Sequence, residues 1–278
     1  MESPPPISYQ LSPRTVLRLS GPDRQRYLNG QVTQDVGRAT TNDAVYACVL
    51  NAKGKLEGVC HLREHEESYL IDAPLELRED LFARLDRYII ADDVELTDES
   101  DHWLISHTIG GTLPEDHLTW RTTRLSTQGF DLFSRKAISV PGSLAATYED
   151  FQQACTRNGI PRWGTELVPG LLPPEAGLDL TAISYQKGCY LGQEVISRIK
   201  HAGKVNQHLT KFSVPEGTRL PCSLLHNEKE AGHLTSLVKD GSPRPLALGF
   251  RKRRFAEVNE FAMISKDGEP QDGVATAL

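Results

Sequence analysis

After Lys204 the chain is cut into short apolar runs by turn residues, and this constrains its fold most. Leu209 to Val214, Ala231 to Val238, Leu246 to Arg251 and Phe261 to Ile264 are the runs. Pro215-Glu216-Gly217, Asp240-Gly241-Ser242-Pro243 and Lys266-Asp267-Gly268 separate them. Regular short strands with turn punctuation read as a small β-barrel or sandwich. A domain boundary is therefore expected near residue 205, dividing the chain into 1–204 and 205–278.

Before that boundary, strand patterns alternate with helical ones. Thr15 to Leu19 reads as a strand. Ser20 or Gly21 then suits a helix N-cap, Pro22 the first helical position and Asn29-Gly30 the stop. Ala44 to Leu50 and Leu56 to Leu62 read as strands around an Asn51-Ala52-Lys53-Gly54-Lys55 hairpin turn, with a further strand at Ser68 to Ile71. Leu77, Leu81, Leu85, Tyr88 and Ile89 fall at helical spacing and predict a helix over Leu75 to Ile90. Val94 to Leu96, Trp103 to Thr108, Leu118 to Thr122 and Phe130 to Phe133 read as strands, and Tyr148 to Arg157 as a helix stopped by Asn158-Gly159. The class is α+β, with antiparallel sheet backed by helices.

Composition excludes several roles. A 278-residue chain, 38% hydrophobic and 24% charged, suits a soluble globular protein of two or three domains. No run is long enough to span a membrane. Met1-Glu2-Ser3-Pro4-Pro5-Pro6 has no basic or apolar region of a secretory signal. Five cysteines without paired spacing (Cys48, Cys60, Cys155, Cys189, Cys222) suit reduced thiols and a cytoplasmic setting. A net charge of −6 argues against DNA binding by the surface as a whole.

The chemistry-bearing stretch is Lys187-Gly188-Cys189-Tyr190-Leu191-Gly192-Gln193-Glu194. Proline- and glycine-rich sequence precedes it, and Val195 to Lys200 reads as a short amphipathic helix. A thiol at such a junction, with Lys187 two residues away, would be a reactive thiolate. Gln193 and Glu194 can cap the first turn. The ordinary alternative is that Cys189 is a small buried hydrophobe.

The order of motifs is informative. Leu19-Ser20-Gly21-Pro22-Asp23 is followed by Leu28-Asn29-Gly30-Gln31-Val32-Thr33-Gln34-Asp35-Val36, and then by the Asn51 to Lys55 turn. Next come Gly159-Ile160-Pro161, Gly164-Thr165-Glu166-Leu167, Pro174-Glu175-Ala176-Gly177-Leu178 and the octapeptide. Gly232 with Leu234-Thr235-Ser236, and Ala247-Leu248-Gly249-Phe250, close the series. Over roughly residues 14–265 the chain resembles the folate-binding YgfZ branch of the glycine-cleavage T-protein-like (aminomethyltransferase-like) superfamily. The resemblance implies a three-unit cloverleaf around a cavity for tetrahydrofolate. Two α+β units would be interleaved, the middle one at about 45–145, with a C-terminal β-barrel as the third.

It further implies a monomeric accessory protein for iron–sulfur cluster assembly or repair. Its partners would be folate and iron–sulfur client enzymes or assembly proteins, including tRNA-modifying enzymes. Cys189 and Lys187 would be the catalytic pair. The alternative it leaves is a folate-dependent one-carbon (aminomethyl- or methyl-) transferase. The Asp-Asp pair of the aminomethyltransferases is missing: here the run is Gly54-Lys55-Leu56-Glu57-Gly58, which speaks against the glycine-cleavage reaction. Asp131, in Gly129-Phe130-Asp131-Leu132-Phe133, is the candidate carboxylate for the pterin edge, with Arg198, Gln193 and Glu194 as the other cofactor-binding candidates. Arg121, Arg124 and Arg135 could meet the glutamyl carboxylates of folate. Cys60, His61 and His65 lack a fourth ligand for zinc, and Arg251 to Arg254 reads as a solvated strand end or a tRNA contact.

Overall fold

The structure, a computed structural model, describes residues 4–111, 117–137 and 139–278. The chain divides into two compact units. One is Met1–Phe151 with Asp179–Ser197, and the other Gln152–Leu178 with Arg198–Leu278.

The first unit opens with β1 (Ile7–Gln10) and β2 (Thr15–Ser20). Helix α1 (Arg24–Gln31) follows, then β3 (Val45–Leu50), β4 (Leu56–His65) and β5 (Ser68–Ala73). Helix α2 (Arg78–Asp86), β6 (Glu95–Asp98), β7 (Leu104–Ile109), β8 (Leu118–Thr122), β9 (Gly129–Ser134) and β10 (Leu144–Ala146) complete the sheets. One five-stranded sheet has the order β10-β1-β7-β9-β8, the other β3-β4-β5-β2-β6. The chain thus starts one sheet, builds the whole of the other, and returns to finish the first. All pairings are antiparallel except β1 with β10 at an edge.

Alternation along β4 decides what each face carries. Leu56, Gly58, Cys60 and Leu62 lie on one face, and Gly58 sits under Leu77 and Leu81, so α2 backs that side. Val59, His61 and Arg63 lie on the other, where Arg63 and His61 meet residues of the first sheet.

Helices α1 and α2 differ from the sequence reading at both ends. Helix α1 starts at Arg24 with Asp23 in the cap position, two or three residues later than Ser20 or Gly21 would place it. Gly21 is spent on a turn with φ +103, packed on the backbone at Asp93. The helix also runs through Asn29-Gly30 to Gln31, because Asn29 Oδ1 accepts from Val36 N (3.1 Å) and holds the next turn instead of ending the helix. Helix α2 is shorter than Leu75 to Ile90. Leu75–Leu77 is a 3₁₀ turn, and after Asp86 the bonds tighten to Tyr88 N→Leu85 O and Ile89 N→Asp86 O. Ile90 is left 87% exposed.

Helix α3 (Tyr148–Asn158) and helix α4 (Gln193–Ala202) each continue from one unit into the other. The second unit is a closed antiparallel barrel of β11 (Gln207–Ser213), β12 (Cys222–His226), β13 (Lys229–Leu237), β14 (Leu246–Lys252), β15 (Glu260–Ser265) and β16 (Pro270–Ala277). Its order is β11-β14-β13-β12-β15-β16, with β16 closing on β11. Phe212, Leu224, Leu234, Phe261 and Met263 fill it.

Strands β1, β10, β12 and β16 were not legible as apolar runs. β16 begins with Pro270 and contains Gly273, both poor in strands. It forms because β15 and β11 offer it two sets of partners. Among the described residues no helix is long and apolar enough to cross a membrane.

Candidate functional site

Three of the separated motifs meet in the first unit. The octapeptide runs beside the segment that leaves α1, and backbone bonds tie the two. Leu191 N donates to Gly30 O (3.2 Å) and Ser184 N to Thr33 O (3.0 Å). Buried Thr33 carries most of the wiring. Its hydroxyl donates to Ala182 O (2.6 Å) and accepts from Cys48 N (2.8 Å), and its amide donates to Cys48 O (3.0 Å). The Lys187 ammonium reaches into the same segment. It donates to Asn29 O (2.5 Å), Val32 O (2.8 Å) and Gln34 O (3.0 Å), and lies 5.2 Å from the Tyr190 ring centroid. An ammonium has three N–H donors, and all three are used. Burial brings its pKa down to about 8. Lys187 therefore fastens the loop.

The Asn51 to Lys55 hairpin closes the other side. Gly192 has φ +85, and a Cβ there would stand 2.5 Å from Asn51 O and 3.1 Å from Gly54 Cα. Gly54 has φ +70 and would meet Val195 Cβ at 2.9 Å. The two turns pack backbone to backbone, which only glycine permits.

This frame leaves Cys189 exposed, whereas Cys48, Cys60, Cys155 and Cys222 are buried. Burial pushes the thiol of Cys48 up to about 12 and that of Cys222 up to about 11, and raises that of Cys60 further. Cys189 stands four residues before the first residue of α4, outside the first helical turn. Gln193 opens α4 and is half-buried, while Glu194 is exposed in its first turn. Arg198 and Lys200 are exposed farther along.

Asp131 lies elsewhere, wholly buried between the two sheets. Oδ1 accepts from Arg124 Nε (2.8 Å), His107 Nδ1 (2.9 Å) and Thr122 Oγ1 (3.4 Å). Oδ2 accepts from Arg124 Nη2 (2.6 Å) and Arg63 Nη2 (3.1 Å). Asp72, equally buried, accepts from Arg14, Arg124 and Arg63 (3.2 Å). Burial opposes ionisation of both carboxyls, but the guanidinium groups outweigh it and hold them well below the usual range. Arg63 stacks 4.2 Å from the Phe133 centroid and 5.4 Å from that of Trp120. Arg124 Nη1 donates to His61 Nδ1 (3.1 Å), and burial followed by Arg124 keeps His61 neutral. A pterin edge would need free lone pairs on an accessible carboxylate, and Asp131 offers neither, so it does not fit tetrahydrofolate in this structure.

The other candidates are engaged too. Glu57 accepts from Arg84 Nε (2.7 Å), and buried Arg84 also donates to Gln31 Oε1 (3.0 Å) and Leu50 O (3.1 Å). Arg121 makes a two-pronged surface pair with Asp43 (2.7 and 2.8 Å), and Arg135 lies 5.5 Å from the Trp103 centroid. Cys60 and His61 point to opposite faces of β4. Lys252 pairs with Glu230 (2.9 Å), Arg254 donates to Glu230 O (3.0 Å) and Arg251 to Val258 O (3.2 Å). In the second unit, buried Glu166 joins two more motifs, accepting from Arg162 N (3.0 Å), Thr235 Oγ1 (2.9 Å) and Ser236 Oγ. Sequence reasoning missed Asp72, Arg63, Arg14, His107 and Arg84. For Arg63, Asp72 and His107 the signal was a polar or charged residue at an inward position of an otherwise apolar strand, as in Leu62-Arg63 and Ile71-Asp72, whereas Arg14 precedes β2 and Arg84 lies on α2.

No protein-family model matches the chain. It is 26% identical over 228 residues to a tRNA-modifying protein YgfZ of Photobacterium profundum, covering 74% of this chain and 69% of that one. It is 28% identical over 244 residues to the mitochondrial iron–sulfur cluster assembly factor IBA57 of Mus musculus, covering 77% and 68%. The glycine cleavage system aminomethyltransferase T of Bartonella henselae shares its fold, with a TM-score of 0.79, 15% identity, and coverage of 99% and 85%. The chain is thus similar in sequence to YgfZ and IBA57 proteins and in fold to a glycine-cleavage aminomethyltransferase T.

Proposed function

We propose that this protein is an accessory factor in iron–sulfur cluster assembly that supports tRNA-modifying enzymes, with Cys189 as its functional thiol. The observation that carries the reading is the exposure of Cys189 alone among five cysteines, on a loop fastened by Lys187 and by the Gly54–Gly192 contact. The names of the YgfZ and IBA57 relatives support the process. One exposed thiol is too few for a stable four-ligand cluster on one chain, so a cluster would be shared with a partner or held in passing. Four buried thiols and an odd total suit a reducing compartment such as the cytoplasm.

Tetrahydrofolate is the ligand to titrate. Gln193 and Glu194 are the contacts proposed for it in the first unit, without Asp131. Of the catalytic pair, Cys189 keeps the chemical role and Lys187 holds the loop.

The test is a deletion strain assayed for several iron–sulfur enzymes and for thiolated or methylthiolated tRNA nucleosides. Complementation with wild type should restore both readouts, and Cys189→Ala should not. Full rescue by Cys189→Ala would remove the thiol from the account. Undiminished iron–sulfur enzyme activity in the deletion strain would remove the process.

A further inference from the structure

We infer that Asp131 and Asp72 form a buried charge lock between the two sheets of the first unit, and that Asp131 takes no part in recognising a pterin. A carboxylate has about four lone-pair positions. Those of Asp131 are taken by both nitrogens of the Arg124 fork, by Arg63 and by His107, at 2.6 to 3.1 Å. A 2-amino-4-oxo pyrimidine edge needs two adjacent acceptors, which here could come only from evicting Arg124.

Arg124 cannot leave cheaply, because the same guanidinium also holds Asp72 and His61. Evicted, it would be a buried cation without its partners, in a cluster that already has three guanidinium groups for two carboxylates. Asp131 ends against the fork of Arg124, which follows β8, and against an arginine from the facing sheet. The lock therefore spans β4 and β5 on one side and β9 with the chain just after β8 on the other.

The experiment uses the full chain, with Asp131→Asn and a paired variant, Asp131→Leu with Arg63→Met. Melting temperature is measured by scanning calorimetry. Tetrahydrofolate affinity is measured by titration well below the melting point. Breaking one side of a buried pair costs far more than replacing both, so Asp131→Asn should melt roughly 6–15 °C below wild type. The paired variant should recover at least half of that loss. Affinity for tetrahydrofolate should stay within twofold of wild type in both variants, and a wild type that does not bind it at all accords equally with the inference. A tenfold or greater loss of affinity in either folded variant overturns the pterin part. A wild-type melting point in Asp131→Asn, or a paired variant no more stable than the single one, overturns the lock. Neither readout involves Cys189, so failure here is separable from failure of the thiol reading.

Discussion

Replacing Lys187 by methionine removes the ammonium and keeps the length of the side chain. Three carbonyls, those of Asn29, Val32 and Gln34, then lose a charged donor at 2.5 to 3.0 Å. Each buried acceptor left unpaired costs about 1–3 kcal/mol, which gives a gross loss of about 3–9 kcal/mol. Two effects reduce it. The lysine is only partly buried, so water can reach part of the gap. The wild type also carries the cost of holding a charge whose pKa is brought down to about 8, a depression worth about 3 kcal/mol before solvent screening and less after it.

The net expectation for Lys187→Met is a loss of about 2–3 kcal/mol, or a melting point lower by roughly 4–12 °C. The loop should loosen with it, so modification of Cys189 by a thiol reagent should change rate at neutral pH. Calorimetry and stopped-flow labelling measure the two. An unchanged melting point together with an unchanged labelling rate refutes the reasoning, because Lys187 would then hold nothing. A pure thiol-activating role predicts slower labelling at an unchanged melting point, so the two roles separate.

A native thiol titration should find one reactive cysteine per chain and a denatured one five; two or more in the folded state contradicts the burial of the others. Gly192→Ala should cost about 2 kcal/mol or more, since φ is +85 and its Cβ would crowd Asn51 O, while Gly188→Ala, whose Cβ meets nothing within 4 Å, should melt like wild type. Equal melting points for the two alanine variants would dismiss the backbone contact. Asp72 and Asp131 titrate well below their ordinary 3.8, so their contribution is complete above about pH 4. Below that the unfolded chain takes up protons that the folded chain does not, and stability falls with pH. Urea midpoints between pH 5 and 2.5 should show this slope, shallower in the Asp131→Leu/Arg63→Met pair, and equal slopes would count against the lock. Glu166→Ala should lower the melting point, because the Arg162 amide, Thr235 and Ser236 all lose their acceptor; an unaltered melting point would show that water replaces it.

Much of the fold was legible because it depends on local pattern. The barrel runs, the hairpin at Asn51 to Lys55 and helix α3 follow from apolar period and turn chemistry, and they lie within a few residues of the expected positions. The exceptions are instructive. Asn29-Gly30 looks like a helix stop, yet Asn29 caps the following turn and the helix continues. Pro270 and Gly273 look like loop residues, yet two neighbouring strands recruit the segment.

The site was legible in a different sense. Sequence by itself determined which residues belong together: the motifs at 29–36, 51–55 and 187–194 could be picked out by type and order. Only tertiary structure decided what each does, because hydrogen-bond partners and burial are long-range properties that a linear pattern does not contain. Lys187, two residues from the thiol in sequence, spends its three donors on carbonyls more than 150 residues away. Asp131, on a strand whose pattern matched a ligand-binding motif, is enclosed by arginines from both sheets. Cys189 is exposed, on a loop whose Gly192 lies directly against the turn at Asn51 and Gly54.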